Sequence, residues 1–349
     1  MSTEVELGAH AADLHRRALV VNALAGGKVA APESREAPFL LPEIMRAGGV
    51  TAVNLTVSFR DGFAESVRKL SLLLQAIDRS DGIAVARTVD DLRDAKRRGE
   101  AAVLLGFQNS DPLEGSLEKL DLFHRLGVRI VQLTYQRRNL AADGCGEPAN
   151  GGLSVFGREL VGELNRLGIL IDLSHTGVRS TLDTIELSRA PVSFTHANAY
   201  AKNPVARNKT DAEIRALAAA GGVMGINGIA RLMSPHGKER GATLAEFVDQ
   251  IDYVVDLVGI DHVGIGLDIS EGMTREDFEE RKTSFLGKFP ELGGGEFPFE
   301  FYYTTGLDSM AKTGLITDAL VERGYSDEDV LKILGENFLR LLAQVFAGA

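Results

Sequence analysis

Short apolar runs of strand length alternate along the chain with longer stretches whose apolar residues recur at helical spacing. Eight runs read as buried strands: Ala18–Asn22, Val50–Val57, Ala101–Phe107, Val128–Leu133, Ile169–Asp172, Val192–Phe194, Gly222–Gly225 and His262–Gly266. Helical periodicity between them marks Ala64–Asp78, Ser116–Leu126, Ser154–Leu167, Ser180–Ser188, Asp211–Ala219 and Leu244–Val258. Thr210-Asp211-Ala212-Glu213 has the form of a capping box at the start of one of these helices. The alternation predicts an α/β chain in which residues 1–349 form one (β/α)8 TIM barrel domain.

One stretch breaks the pattern. After the eighth strand, residues 269–308 carry a charged segment and then glycines and aromatics, ending in Phe297-Pro298-Phe299-Glu300-Phe301-Tyr302-Tyr303. So long an insertion in a compact barrel is expected to be a rim over the mouth or a contact between two copies. Exposed aromatics at Phe297–Tyr303 would need covering, which points to a homodimer. Beyond it, residues 309–347 read as C-terminal helices that cap the barrel.

Two consecutive strand–helix units each place a histidine just beyond an apolar run: Gly168-Ile169-Leu170-Ile171-Asp172-Leu173-Ser174-His175 and Val192-Ser193-Phe194-Thr195-His196. Either one alone reads as a hydrogen-bonded core residue. Side by side at the C-terminal face of a barrel they converge on one cavity, and two imidazoles there suggest a metal. His10, His15, His124, His236 and His262 fall on helices, loops or the opposite face, where solvated or structural roles are expected.

A net charge of −11 argues against a nucleic-acid or anionic-membrane partner. Cys145 is the only cysteine, so the chain cannot close a disulfide on itself. Met1–Arg17 lacks the basic start and apolar core of a signal peptide, and no apolar run is long enough to span a bilayer. A cytoplasmic protein is expected. Cys145 lies in a glycine-rich loop after the fourth strand, where it is either a soft ligand or nucleophile or an inert packing residue.

The run from Ser154 to His175, together with Thr195-His196, Arg207-Asn208, Gly264-Ile265-Gly266-Leu267-Asp268 and Gly335-Glu336-Asn337, resembles the membrane (renal) dipeptidase family of metal-dependent barrels. The resemblance covers nearly the whole chain. It implies that His175 and His196 bind one of two zinc ions, that Arg207 grips the dipeptide carboxylate, and that Asp268 contacts the substrate amine and handles protons. Asn208 and Tyr135 are placed with Arg207 as substrate-binding residues.

The departures from the family's pattern fall on the other metal. Its strand-one histidine and aspartate are matched by Leu24 and Gly26, its bridging glutamate by Gln108, and its strand-four histidine by Tyr135. A second dication would lack both charge and donors. A mononuclear centre remains, with His175, His196, Asp268 and, as a weaker donor, Gln108 around a single zinc; iron and manganese stay open. Leu24 is expected to face an apolar group of an altered ligand.

The expected function is thus a dipeptidase-like metallohydrolase with at most one metal, acting on a small amide or dipeptide-like molecule that bears a carboxylate. Two other classes stay open on the same barrel: a metal-free binding protein, and a lyase or isomerase using Tyr135, Cys145 and Asp268.

Overall fold

Ten parallel strands follow one another in the computed structural model, which describes residues 6–284 and 295–347. They are β1 (Val20–Gly26), β2 (Val50–Ser58), β3 (Ile83–Val85), β4 (Ala101–Phe107), β5 (Val128–Gln132), β6 (Leu170–Asp172), β7 (Ser193–Ala197), β8 (Val223–Ile226), β9 (Val263–Ile265) and β10 (Ile269–Ser270). Eight close a barrel in the order β1-β2-β4-β5-β6-β7-β8-β9, and the pairing of Asn22 with Ile265 joins the last strand to the first. The predicted (β/α)8 barrel is the observed fold. The two extra strands are short: β3 adds to the start of β4, and β10 lies beside the end of β1.

The first strand runs four residues past its predicted end at Asn22. Asn22 looks like a strand breaker in sequence but is fully buried, and its Oδ1 accepts the Leu267 amide at 2.9 Å. That contact ties β1 to the turn after β9. The helix Val89–Arg98 was hidden by its charges: only Val89, Leu92 and Ala95 are buried, and a capping box between Thr88 and Asp91 starts it. The box predicted at Thr210 is present, with Thr210 and Glu213 exchanging their hydrogen bonds.

Apolar residues divide between two clusters. The larger joins strand residues such as Val53, Leu55 and Val103 to helix residues such as Leu70, Leu73, Leu160 and Leu164. The smaller gathers Val21, Ala23, Leu104, Ile130 and Leu170 from the first halves of the strands under Phe338, Leu341, Leu342 and Val345. These last four lie on the helix Asn337–Phe346, which packs across the N-terminal end of the barrel. The cap sits close. A Cβ on Gly335 would come within 2.0 Å of the Leu19 carbonyl oxygen.

The insertion after β9 is built differently from its sequence reading. Its described part holds the helix Arg275–Ser284, and the ring of Phe278 there is met by Phe297, Phe299 and Tyr302. Phe297, Tyr302 and Tyr303 are 5%, 4% and 9% exposed, so the aromatics cover one another rather than present a patch. The reason given for a dimer contact therefore falls away. Of the glycine run at 293–295, Gly293 and Gly294 lie outside the described residues. No helix among the described residues is long and apolar enough to cross a membrane.

Candidate active site

A cavity of about 420 Å³ opens at the C-terminal ends of the strands. Gly26, Thr56, Gln108, Tyr135, His175, Arg207 and Asp268 line it from the barrel, and Asp277, Glu280, Arg281 and Tyr302 line it from the insertion. Of the two roles expected for residues 269–308, the rim over the mouth is the one the described residues support. Leu24, only 2% exposed, does not line the cavity, so the expected contact with a ligand is not made.

His175 and His196 meet as the repeat predicted, with their Nε2 atoms 3.0 Å apart. His196 is held from behind: its Nδ1 lies 2.7 Å from Thr195 Oγ1, which donates to Asp172 Oδ2 at 2.7 Å. Asp172 also accepts from the Thr195 amide and from the Ser174 amide and hydroxyl. His175 Nδ1 is buried and has no hydrogen-bond partner. Burial, reinforced by the Arg207 guanidinium, holds both imidazoles well below their usual pKa, so both are neutral near pH 7.

Asp268 follows β9 in a left-handed backbone conformation, φ 57°, unusual for a residue other than glycine. Its amide donates to the Leu24 carbonyl and its Oδ2 accepts from Asn227 Nδ2 at 3.0 Å. Burial pushes its carboxyl up, against the pull of Arg207 and the Asn227 hydrogen bond. A buried carboxyl poised this way is suited to proton transfer. Burial and the nearby Asp268 push the Tyr135 hydroxyl up to about 12, so it stays protonated. Gln136, next along, is also left-handed at φ 65° and lines the cavity. Two left-handed residues other than glycine thus border one cavity, and strained backbone of this kind clusters at active sites.

Three expected site residues make structural contacts. Arg207 lines the cavity, but its terminal nitrogens donate to the Ser174 and His196 carbonyls at 2.6 and 2.7 Å. It locks the ends of β6 and β7 together, leaving less of its fork for a substrate carboxylate. Asn208 does not line the cavity; its amide nitrogen donates to the carbonyls of Asn203 and Leu232. Cys145 is also absent from the lining, its amide donates to the His175 carbonyl, and burial pushes its thiol up, away from the reactive thiolate. The sequence reading missed Asn227, Thr195 and Asp172, whose side chains matter only through contacts made across the barrel. It also missed Lys209, buried beside the site and paired with Glu213 at 3.1 Å.

The donor set does not fit a metal centre of the kind the resemblance implies. Leu24 offers no donor and Gly26 no side chain, while Gln108 is a neutral amide whose Nε2 donates to Thr56 Oγ1 at 2.7 Å. Among the described residues no group of three or more histidine, cysteine, aspartate or glutamate side chains is placed to hold an ion. The expected set of His175, His196 and Asp268 is therefore not assembled. Two neutral imidazoles facing the cations of Arg207 and Lys209 supply no charge to offset a dication.

Acid–base and cationic side chains gathered at the C-terminal ends of parallel strands define a barrel of the enzyme class. A family model described as membrane dipeptidase (peptidase family M19) matches residues 42–284, and the chain belongs to that family. Dipeptidase tcpJ of Claviceps purpurea is 32% identical over 291 residues, covering 82% of this chain and 60% of that protein. Dipeptidase verJ of Clonostachys rogersoniana is 31% identical over 283 residues, 80% of this chain and 65% of that protein. The chain thus spans less than two thirds of either relative. A crystal structure of an amidohydrolase from Pseudomonas aeruginosa matches with a TM-score of 0.84 at 33% identity, over 97% of this chain and 99% of that one.

Proposed function

We propose that this chain hydrolyses a small amide or dipeptide-like molecule bearing a carboxylate, using Asp268 and Tyr135 as its acid–base and donor groups. The observation that carries the reading is a carboxyl raised by burial and a hydroxyl kept protonated, both lining one cavity of about 420 Å³ in a chain of a dipeptidase family. In this reading the Asp268 carboxylate takes a proton from water as the water oxygen bonds to the carbonyl carbon. The Tyr135 hydroxyl donates to the oxygen on which charge builds. The proton then passes to the leaving nitrogen as the carbon–nitrogen bond breaks. The cations of Arg207 and Arg281 favour a ligand with a carboxylate.

The test is a panel of N-acyl amino acids and dipeptides incubated with purified protein in chelator and read by mass spectrometry. Cleavage of at least one member, with Asp268→Asn slower by about 10²–10⁴-fold, is expected for a general base. A panel left intact, or an Asp268→Asn variant as active as the parent, sinks the proposal. The lyase or isomerase reading uses the same two residues. Product formed in isotope-labelled water without uptake of the label would favour it.

A further inference from the structure

We infer that His175 and His196 form a hydrogen-bonded pair with one fixed polarity, set by Asp172 through Thr195, where related barrels are expected to hold metal. The inference rests on the pair's own geometry and holds whichever substrate fills the cavity. Asp172 receives four hydrogen bonds, two from amides and two from hydroxyls, which favour its carboxylate form against the burial that pushes the carboxyl up. Thr195 has a single hydroxyl proton, and that proton goes to Asp172 Oδ2. Its oxygen is then left to accept, so His196 must carry its proton on Nδ1, 2.7 Å away. This leaves His196 Nε2 as a bare lone pair aimed at His175 Nε2 across 3.0 Å.

Only two arrangements of His175 remain. With its proton on Nε2 it donates to His196, and the atom left over is an unprotonated Nδ1. With its proton on Nδ1, two lone pairs face each other and a buried N–H has no partner. The second needs a cation between the rings, and its unsatisfied N–H would cost about 1–3 kcal/mol. Metal-bound histidines almost always give their other N–H to a neighbour. His196 has that neighbour and His175 does not. The 3.0 Å separation is that of an N–H···N hydrogen bond.

Thr195 and Asp172 are accordingly positioning residues. They turn His196 so that it accepts, which holds the His175 ring against Tyr135, their centroids 4.4 Å apart. Arg207 closes the arrangement from the backbone side by binding the Ser174 and His196 carbonyls. The outcome is a neutral imidazole wall, which leaves proton transfer to Asp268.

Nitrogen-15 NMR of the full chain labelled in histidine tests this directly, since only seven histidines contribute signals. The expected spectrum has His175 protonated at Nε2 and His196 at Nδ1, unchanged by an equivalent of zinc chloride. Both rings protonated at Nδ1, with Nε2 signals that shift on adding zinc and stoichiometric retention of the ion after dialysis, would overturn the pair. Thr195→Val should release His196 into a mixture of tautomers, and Thr195→Ser should restore the single form. A Thr195→Val variant in which His196 keeps Nδ1–H overturns the relay. If that variant does not fold, the parent spectrum and its zinc titration still decide the pair.

Discussion

The phenol ring of Tyr135 lies stacked on the imidazole of His175, with centroids 4.4 Å apart and planes inclined by 27°. Phe59 packs at an angle on the same phenol, its centroid 5.4 Å away. A large ring thus fills the position where the resemblance expects a histidine, and it brings a hydroxyl in place of a ring nitrogen. Tyr135→Phe keeps the stack and removes only the donor. Under the proposed mechanism it should lower kcat by about 100-fold with little change in KM or Tm, as loss of one oxyanion donor does. Tyr135→Ala should in addition lose about 3 kcal/mol of stability by emptying the stack. Steady-state kinetics and thermal unfolding of the two variants check this. Unchanged kcat in Tyr135→Phe would remove the hydroxyl from the chemistry.

Asp268 gives the pH dependence a definite sign. As a base it acts only when ionised, so kcat/KM should climb as pH rises through a limb above the ordinary aspartate value of about 3.9. The Asn227 hydrogen bond holds that carboxyl down, so Asn227→Ala should move the limb to higher pH. Stability runs the other way. The folded chain binds this proton more tightly than the unfolded one, so its contribution is present at low pH and lost as pH rises through the folded value. Asp268→Asn should therefore raise Tm relative to the parent at about pH 8 and not at about pH 4. A pH–rate limb at or below the ordinary aspartate range would contradict the assignment.

The barrel and the meeting of the two histidines were legible because both follow from periodicity and from the rule that strand ends share a face. The short strands β3 and β10, with three and two residues, carry too little pattern to be read. The end of β1 was misread because Asn22 is a polar residue whose partner, the Leu267 amide, lies at the far end of the sequence. Thr195 and Asp172 are invisible for the same reason: a hydroxyl between a carboxylate and an imidazole is a product of packing two strands. Phe297–Tyr303 reads as a surface in sequence because its partner Phe278 sits on a helix so charged that its one aromatic carries no signal.

Arg207 was expected to grip a substrate, and its hydrogen bonds make it a structural tie as well. Arg207→Lys cannot reach the Ser174 and His196 carbonyls together, because a single ammonium replaces two nitrogens held in a plane. A buried carbonyl left unpaired should cost about 1–3 kcal/mol, seen as a lower midpoint in denaturant. A rise in KM confined to carboxylate-bearing substrates would add the binding role to the structural one. A variant as stable as the parent would show that the two carbonyls do not depend on Arg207.

The metal question has its sharpest form at strand one. Gly26 and Gln108 both lie against Thr56: a Cβ on Gly26 would sit 3.7 Å from the Thr56 Cβ, and Gln108 Nε2 donates to Thr56 Oγ1 at 2.7 Å. The triple change Leu24→His, Gly26→Asp and Gln108→Glu therefore fits without a clash at Gly26 and adds two carboxylates to the cavity lining, while position 24 lies outside that lining. A decayed dipeptidase so repaired should regain both metal and the cleavage of ordinary dipeptides. A respecialised pocket should regain zinc alone, because Tyr135 still occupies the place of the strand-four histidine and still covers His175. We expect the second outcome. In chelator the added carboxylates are unpaired, at a cost of several kcal/mol, so Tm should fall below that of the parent and recover when zinc is added. The parent should show no such response to zinc and should cleave Ala-Ala poorly in its presence or absence. Parent turnover of Ala-Ala near ~10 s⁻¹, the rate of a dedicated enzyme, would mean that Leu24, Gly26 and Gln108 had removed nothing the reaction needs.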